Sequence, residues 1–188
     1  MDGVMEFRPL TSENWLAFET LFGVKGACGG CWCMYPRLPD KEDKAGRGEV
    51  NHQKMKAMVD AGKVPGLLAF QDNAPIGWIS LGPREEFPRL RNSKILAPVD
   101  EQSVWSVVCL FIAKEFRRQG VSVELLVTAA EFAKSNGAAI LEGYPTDPNS
   151  SKQPDAFVWT GIHTAYLKSG FVEVERRSKS RPIMRKYL

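Results

Sequence analysis

The chain has 188 residues, of which 44% are hydrophobic and 25% are charged, and its formal net charge is +3. This length and composition predict a single domain over residues 1–188 with enough apolar side chains for a core. The small net charge argues against nucleic acid as a partner, because proteins that bind it carry a concentrated basic face.

Two features of the sequence concern the location of the protein. The first residues, MDGVMEFRPL, contain neither a basic segment nor a long apolar one, so we expect no signal peptide. The longest apolar run, residues 104–113, is about half of the ~20 residues that a membrane-spanning helix needs. We therefore expect a cytoplasmic protein that does not bind membranes, with its four cysteines as reduced thiols.

Apolar spacing and turn residues divide the first half of the chain into elements. In chain order we expect a strand, a capped helix, a cysteine-bearing loop, a polar stretch, a second helix and the two strands of a β-hairpin. The strands cover 7–10, 66–71 and 76–81, the helices 11–22 and 49–61, and the loop 23–30.

The second half of the chain contains the longest predicted strand and the clearest amphipathic helix. In chain order we expect a loop, a buried strand, that helix, a second buried strand, a polar loop, a short helix and a terminal hairpin. These elements cover 83–98, 102–112, 119–135, 138–143, 145–154, 157–169, 171–175 and 182–187.

The junction between the strand over 102–112 and the helix over 119–135 predicts an anion site. The first N–H groups of a helix lack partners within it, and the helix dipole places partial positive charge there. Gly120 allows a ligand to approach the backbone closely, and two arginines add charged donors. This chemistry suits a pyrophosphate. The segment reads Arg117, Arg118, Gln119, Gly120, Val121 and Ser122.

This segment resembles the acyl-CoA-binding motif of the GNAT acetyltransferases, which is Arg or Gln, two residues, Gly, one residue, then Gly or Ala. Arg117, Gly120 and Ser122 take the three places, and Ser122 departs from the usual Gly or Ala. The order of the predicted elements also matches the fold of that family. The resemblance implies an α+β fold, with a central mixed, mostly antiparallel sheet and helices on both faces.

The resemblance also implies a reaction. The chain would be an N-acetyltransferase that moves an acetyl group from acetyl-CoA to a primary amine of a small molecule or peptide, by direct nucleophilic attack. The segment 117–122 would bind the pyrophosphate of coenzyme A. The backbone of Leu110, Phe111 and Ile112 would pair with the pantetheine arm, and an N–H group there would polarise the thioester carbonyl.

Two side chains are candidates for proton transfer. The segment from Tyr166 to Phe171 resembles the closing signature of the family, in which such a tyrosine protonates the leaving thiolate; the alternative is a tyrosine at the edge of the core. Glu142 ends a buried run and is the first candidate for the base, the alternative being a carboxylate that faces solvent. Weaker candidates for the base are Glu101, Tyr144 and Asp155.

Cys28, Cys31 and Cys33 crowd into six residues. A structural zinc site usually has two separated pairs of ligands, and no second cysteine pair exists here, although His52 is a candidate fourth ligand. We therefore favour a packed loop near the acceptor cleft over a metal site, with Cys109 in the core. The alternative function is a non-catalytic acyl-CoA-binding module whose loop senses metal or redox state.

The sequence leaves open the roles of two surface features. Arg84, Arg89 and Arg91 suit an acidic acceptor, although we favour solvated charges. The terminal hairpin offers an exposed edge through which a homodimer can form.

Overall fold

The computed structural model describes residues 4–147 and 159–188. In these residues seven strands form one sheet, in the order β1-β2-β3-β4-β5-β7-β6. All neighbouring strands are antiparallel except β4 and β5, which are parallel. The strands are β1 (Met5–Pro9), β2 (Gly66–Gln71), β3 (Ala74–Pro83), β4 (Trp105–Ile112), β5 (Ile140–Gly143), β6 (Val172–Glu175) and β7 (Ile183–Tyr187).

Six α-helices connect these strands within the described part of the chain. They are α1 (Trp15–Phe22), α2 (Asp40–Gly46), α3 (Glu49–Asp60), α4 (Pro88–Arg91), α5 (Val121–Ser135) and α6 (His163–Lys168). In the described residues, no helix has the length and hydropathy that crossing a membrane requires.

The helices cover both faces of the sheet. Along β2, Leu67 and Ala69 pack in one core with α5 and α6, whereas Leu68 and Phe70 pack in a second core with α1 and α3. This alternation follows from the period of two in a strand, which sends successive side chains to opposite faces. The predicted fold class, a mixed and mostly antiparallel sheet between helices, is confirmed.

Two helices were not predicted from the sequence. Helix α2 has no apolar stripe, because its buried residues are Asp43 and Gly46. Helix α4 is a single turn within the predicted loop over 83–98. The predicted strands and the helices α3 and α5 agree with the structure to within three residues at each end.

The helix predicted over 157–169 is wrong in its first part. Residues 157 and 158 lie outside the described residues, and the helix begins at His163. The segment 159–162 is not helical, because Gly161 has a φ of +80° and Ile162 is extended, pairing with Thr146 in a parallel bridge. The predicted loop 145–154 is described only as far as Asp147.

Candidate active site

Strands β4 and β5 pair over only three residue pairs, which end at Val107 and Gly143. Immediately beyond, Val108 is an extra residue in β4, because Leu81 of β3 faces Val107 and Ser80 faces Cys109. Such a bulge bends the strand and increases its twist. The remaining residues of β4 therefore lack β5 as a neighbour, and a slot opens between the two strands.

The backbone of Leu110 faces this slot. Its N–H group donates to the carbonyl oxygen of Trp159 over 2.7 Å. The three residues predicted to bind through their backbone, Leu110, Phe111 and Ile112, all lie in the part of β4 that has separated from β5. The slot thus presents a backbone donor to a carbonyl oxygen, and in this structure that oxygen comes from the protein itself.

The segment 159–162 fills the slot by close backbone packing. Gly161 accepts a hydrogen bond from the N–H of Thr146 over 2.9 Å. A Cβ on Gly161 would lie 2.8 Å from Cδ1 of Leu110 and 3.0 Å from Cε2 of Tyr166, at a φ of +80° that favours glycine. Only glycine permits this approach without a shift of its neighbours.

The start of α5 lies at the other end of the slot. Gly120 is the N-cap residue, with a φ of +85°. Within the described chain, the N–H groups of Gly120, Val121 and Ser122 donate to no carbonyl. The preceding turn is fixed by two bonds, from Arg117 Nε to the carbonyl of Ile112 (3.1 Å) and from Gln119 Nε2 to that of Glu115 (2.7 Å). The exposed Arg118 completes a cationic turn with free backbone donors, which suits a phosphate group.

Tyr166 lies inside the slot and is fully buried. Its ring packs against the backbone of Gly143, where an added Cβ would lie 2.1 Å from Cε1. The hydroxyl donates to the carbonyl oxygen of Thr160 over 3.1 Å. Burial, together with the neighbouring Cys109 thiol, raises the pKa of the phenol above its ordinary value. Tyr166 therefore stays protonated at neutral pH, as an ordinary tyrosine does, and is a weaker acid than an exposed one. A protonated hydroxyl beside the slot is a proton donor.

Glu142 does not have the surroundings of a base. Its side chain is buried, and Oε1 accepts from Arg84 Nη1 over 2.9 Å and from the Tyr144 hydroxyl over 2.7 Å. Oε2 accepts from Arg185 Nε over 2.8 Å. Two arginines stabilise the carboxylate and leave no open side for an amine. The structure therefore argues against the predicted base role, and the solvent-facing alternative is wrong as well.

The Glu142 network extends through Arg185 to Asp100. Arg185 donates to both carboxylate oxygens of Asp100, over 2.6 and 3.1 Å, and these bonds lower the pKa of Asp100 to about 2. The expectation of a solvated charge is wrong for Arg84, which is buried. Burial raises the pKa of Tyr144 well above its ordinary value, which does not suit a base.

The other candidates named from the sequence lie apart from this network. Arg89 donates to Asp40 over 3.0 Å, and Arg91 is exposed. Glu101 is exposed in the loop before β4. Asp155 lies outside the described residues, so the structure does not test it.

A cavity of about 260 Å³ adjoins Leu110 on the face of the sheet that carries α1. Apolar and aromatic side chains form most of its wall, which also includes Arg47. All four cysteines of the chain contribute to it, three from the loop before α2 and one from β4. Its aromatic and sulfur-bearing residues are Phe22, Tyr35, Phe111, Trp159, Cys28, Cys31, Cys33 and Cys109.

Cys33 differs from Cys31 and Cys109 in that its pKa is lowered from the ordinary value, whereas theirs are raised, mainly by burial and by the neighbouring Cys33. Burial raises its pKa, but hydrogen bonds with Cys109, Trp78 and Ser80, together with the charge of Arg37, lower it to about 7. The indole Nε1 of Trp78 donates to Sγ over 3.2 Å. Sequence reasoning missed this pair, because Cys109 was assigned to the core.

The cysteine loop is not arranged as a metal centre. Among residues 4–147 and 159–188, no three side chains of the types that bind metals are placed to share an ion. His52, the candidate fourth ligand, instead has its Nε2 at 2.7 Å from Oε1 of Glu19, which ties α3 to α1. Cys28, Cys31 and Cys33 line the cavity.

The sequence matches the profile of the acetyltransferase (GNAT) family over residues 32–152. The chain belongs to this family. No curated protein matches it.

Solved structures agree with the fold. The PaiA N-acetyltransferase of Thermoplasma acidophilum, solved with coenzyme A, is 18% identical with a TM-score of 0.55, covering 98% of this chain and 99% of its own. An aminoglycoside N-acetyltransferase, AAC(6')-Iy, also solved with coenzyme A, is 16% identical with a TM-score of 0.56, covering 95% and 94%. A GNAT acetyltransferase of Listeria monocytogenes is 10% identical with a TM-score of 0.58, covering 100% and 99%.

Replacement of Glu142 tests its structural role. Glu142→Gln keeps the shape of the side chain but removes its negative charge, which Arg84 and Arg185 both contact in the interior. We expect the free energy of unfolding in urea to fall by about 3–5 kcal/mol, because an arginine is left without its buried partner.

The matched control is Glu131→Gln, at an exposed position on α5. We expect it to change stability by less than about 0.5 kcal/mol. If Glu142→Gln is as stable as the control but loses turnover, the base hypothesis returns.

Proposed function

We propose that this chain is an N-acetyltransferase that moves an acetyl group from acetyl-CoA to a primary amine of a small molecule or peptide. The observation that carries the proposal is the slot between β4 and β5, which presents the N–H of Leu110 at one end and the free donors of α5 at the other. A ligand with a thioester carbonyl and a pyrophosphate satisfies both ends. This interpretation is favoured over a non-catalytic sensor, because Tyr166 also lies in the slot.

The pyrophosphate of acetyl-CoA would lie at the start of α5. Arg117, Arg118 and Gln119 form the turn, and the N–H groups of Gly120, Val121 and Ser122 supply the donors. The pantetheine arm would pair with Leu110, Phe111 and Ile112 along the free edge of β4. These roles are supported by the open N–H groups and by the ending of the β5 pairing at Gly143.

The thioester carbonyl would take the place of the Trp159 carbonyl. It accepts from Leu110 over 2.7 Å, within the range for a donor that stabilises an oxyanion. We infer that the segment 159–162 leaves β4 when acetyl-CoA binds, because its backbone and the pantetheine arm would occupy the same edge. The same movement releases the Tyr166 hydroxyl from Thr160.

The proposed reaction is direct attack of the amine on the thioester carbon. A C–N bond forms, the carbonyl electrons move to the oxygen held by Leu110, and the C–S bond then breaks. As the C–S bond breaks, the electrons on the oxygen re-form the carbonyl. Tyr166 gives its proton to the departing thiolate, the amine nitrogen loses its extra proton to solvent, and solvent returns a proton to Tyr166. A protonated phenol suits this step, whereas Glu142 is enclosed by Arg84 and Arg185 and takes no part in it.

Two further proposals concern the setting of the enzyme. We propose that it acts in the cytoplasm, in line with the reduced state expected of its four thiols.

We also propose a homodimer through β6, which lies at the edge of the sheet and exposes Val172. Sedimentation of the purified protein tests the second point, and a monomer at all concentrations would contradict it.

Coenzyme A binding tests the donor site. At one hundred times its Kd the ligand should raise the melting temperature by about 5–10 °C. Gly120→Ala should weaken binding by about tenfold, some 1.4 kcal/mol, because the new Cβ lies where the ligand approaches the backbone.

The matched control is Gly137→Ala, at the other end of α5. Gly137 has a φ of +84° against +85° for Gly120, and an added Cβ meets no atom at either position. Both variants should therefore lose the same stability, and only Gly120→Ala should lose affinity. No melting shift in the wild type at saturating coenzyme A would contradict the proposed function.

Tyr166→Phe tests the proton donor. We expect kcat to fall by about 10–100-fold, with KM for acetyl-CoA little changed, because the hydroxyl acts on the leaving thiolate. Tyr187→Phe, at an exposed position, is the control and should keep full activity. An unchanged kcat would restrict Tyr166 to packing.

A further inference from the structure

The cavity beside Leu110 has an unusual balance of charge. Of the described residues that line it, none is an aspartate, a glutamate or a histidine, and Arg47 is the only basic side chain. Arg47 is paired with Asp43 over 3.3 Å. The hydrogen bonds and the Arg37 charge described above lower the pKa of Cys33, in the wall, to about 7. When Cys33 is ionised, the positive charge of Arg37 offsets that of the thiolate, so the cavity offers no surplus of negative charge.

The walls favour an apolar occupant with a flat surface. Phe22, Phe111 and Tyr35, which lie outside the segment 159–162, supply ring faces and edges. The volume is about 260 Å³. An apolar cavity of about 150 Å³ in another protein binds benzene. This cavity therefore accommodates a ring with a short side chain.

Leu110 connects the cavity to the reaction. Its side chain lines the cavity, while its N–H faces the slot where the thioester carbonyl is proposed to lie. An acceptor whose body fills the cavity thus has its amine at the end nearest the acetyl group. A second ammonium group on that body would lie within the cavity, removed from water and without a counter-charge, which is strongly unfavourable.

Resting on the proposed function, we propose that the acceptor is a small primary amine with an apolar, ring-sized body and a single amino group. Polyamines and aminoglycosides, which carry several ammonium groups, are excluded by the same cavity.

Steady-state assays with two probe amines test this specificity. Thiol release from acetyl-CoA is measured with 2-phenylethylamine, which has one amine on a ring-bearing body, and with spermidine, which has three amines on a flexible chain. We expect kcat/KM for 2-phenylethylamine to exceed that for spermidine by about 100-fold or more.

A charge placed in the wall makes the test specific to the cavity. Ala27 lines it. Ala27→Asp adds a carboxylate, and Ala27→Asn is a control of the same shape without the charge. We expect Ala27→Asp to raise kcat/KM for spermidine by about tenfold over Ala27→Asn, while the two variants keep the same melting temperature.

Each outcome decides the inference. Comparable or faster turnover of spermidine by the wild type overturns it, as do equal spermidine rates for the two Ala27 variants. In both cases the proposed N-acetyltransferase function stands, because an amine still releases the thiol. If neither amine releases thiol although coenzyme A binds, the inference fails, and a screen of other amines then decides whether the function fails with it.

Discussion

The site depends on the early end of the pairing between β4 and β5. Three residue pairs join these strands, and the bulge at Val108 then directs β4 away. A sheet that continued to pair would use the N–H of Leu110 for a neighbouring strand. Because it does not, a backbone donor, the start of α5 and the Tyr166 hydroxyl all face one slot. Parallel neighbouring strands need a crossover connection, and α5 forms that connection between β4 and β5. The N-terminus of α5 therefore follows the end of β4.

The paired end of these strands is held by charge. Glu142 lies in β5, and its two arginines come from the turn after β3 and from β7. The network thus joins several segments at the point where β4 and β5 are still together. Breaking it leaves a charge in the interior, which is costly. We interpret Glu142 as a structural residue that holds β4 and β5 together up to Val107 and Gly143, so that the strands separate only beyond that point. In this interpretation Glu142 takes no part in proton transfer.

Local patterns in the sequence predicted much of this arrangement. The apolar run of β2 and the amphipathic period of α5 predicted the bounds of those two elements to within two residues. The donors of segment 117–122 lie at the start of α5, as expected. Contacts between distant residues were not predictable. A glutamate at a strand end looks the same whether it faces water or Arg84, which is 58 residues away. Cys33 and Cys109 line one cavity, and Trp159 lies in the slot. Both arrangements bring together residues that are distant in the sequence, so local patterns do not predict them.

The most direct test is a crystal structure of the protein with coenzyme A, followed by one with a stable thioether analogue of acetyl-CoA that retains the carbonyl. We expect the pyrophosphate on the N–H groups of Gly120 and Ser122, and the analogue's carbonyl oxygen on the N–H of Leu110, with the Trp159 carbonyl displaced. A complex in which the Trp159 to Leu110 bond remains, and the ligand lies elsewhere, would contradict the account.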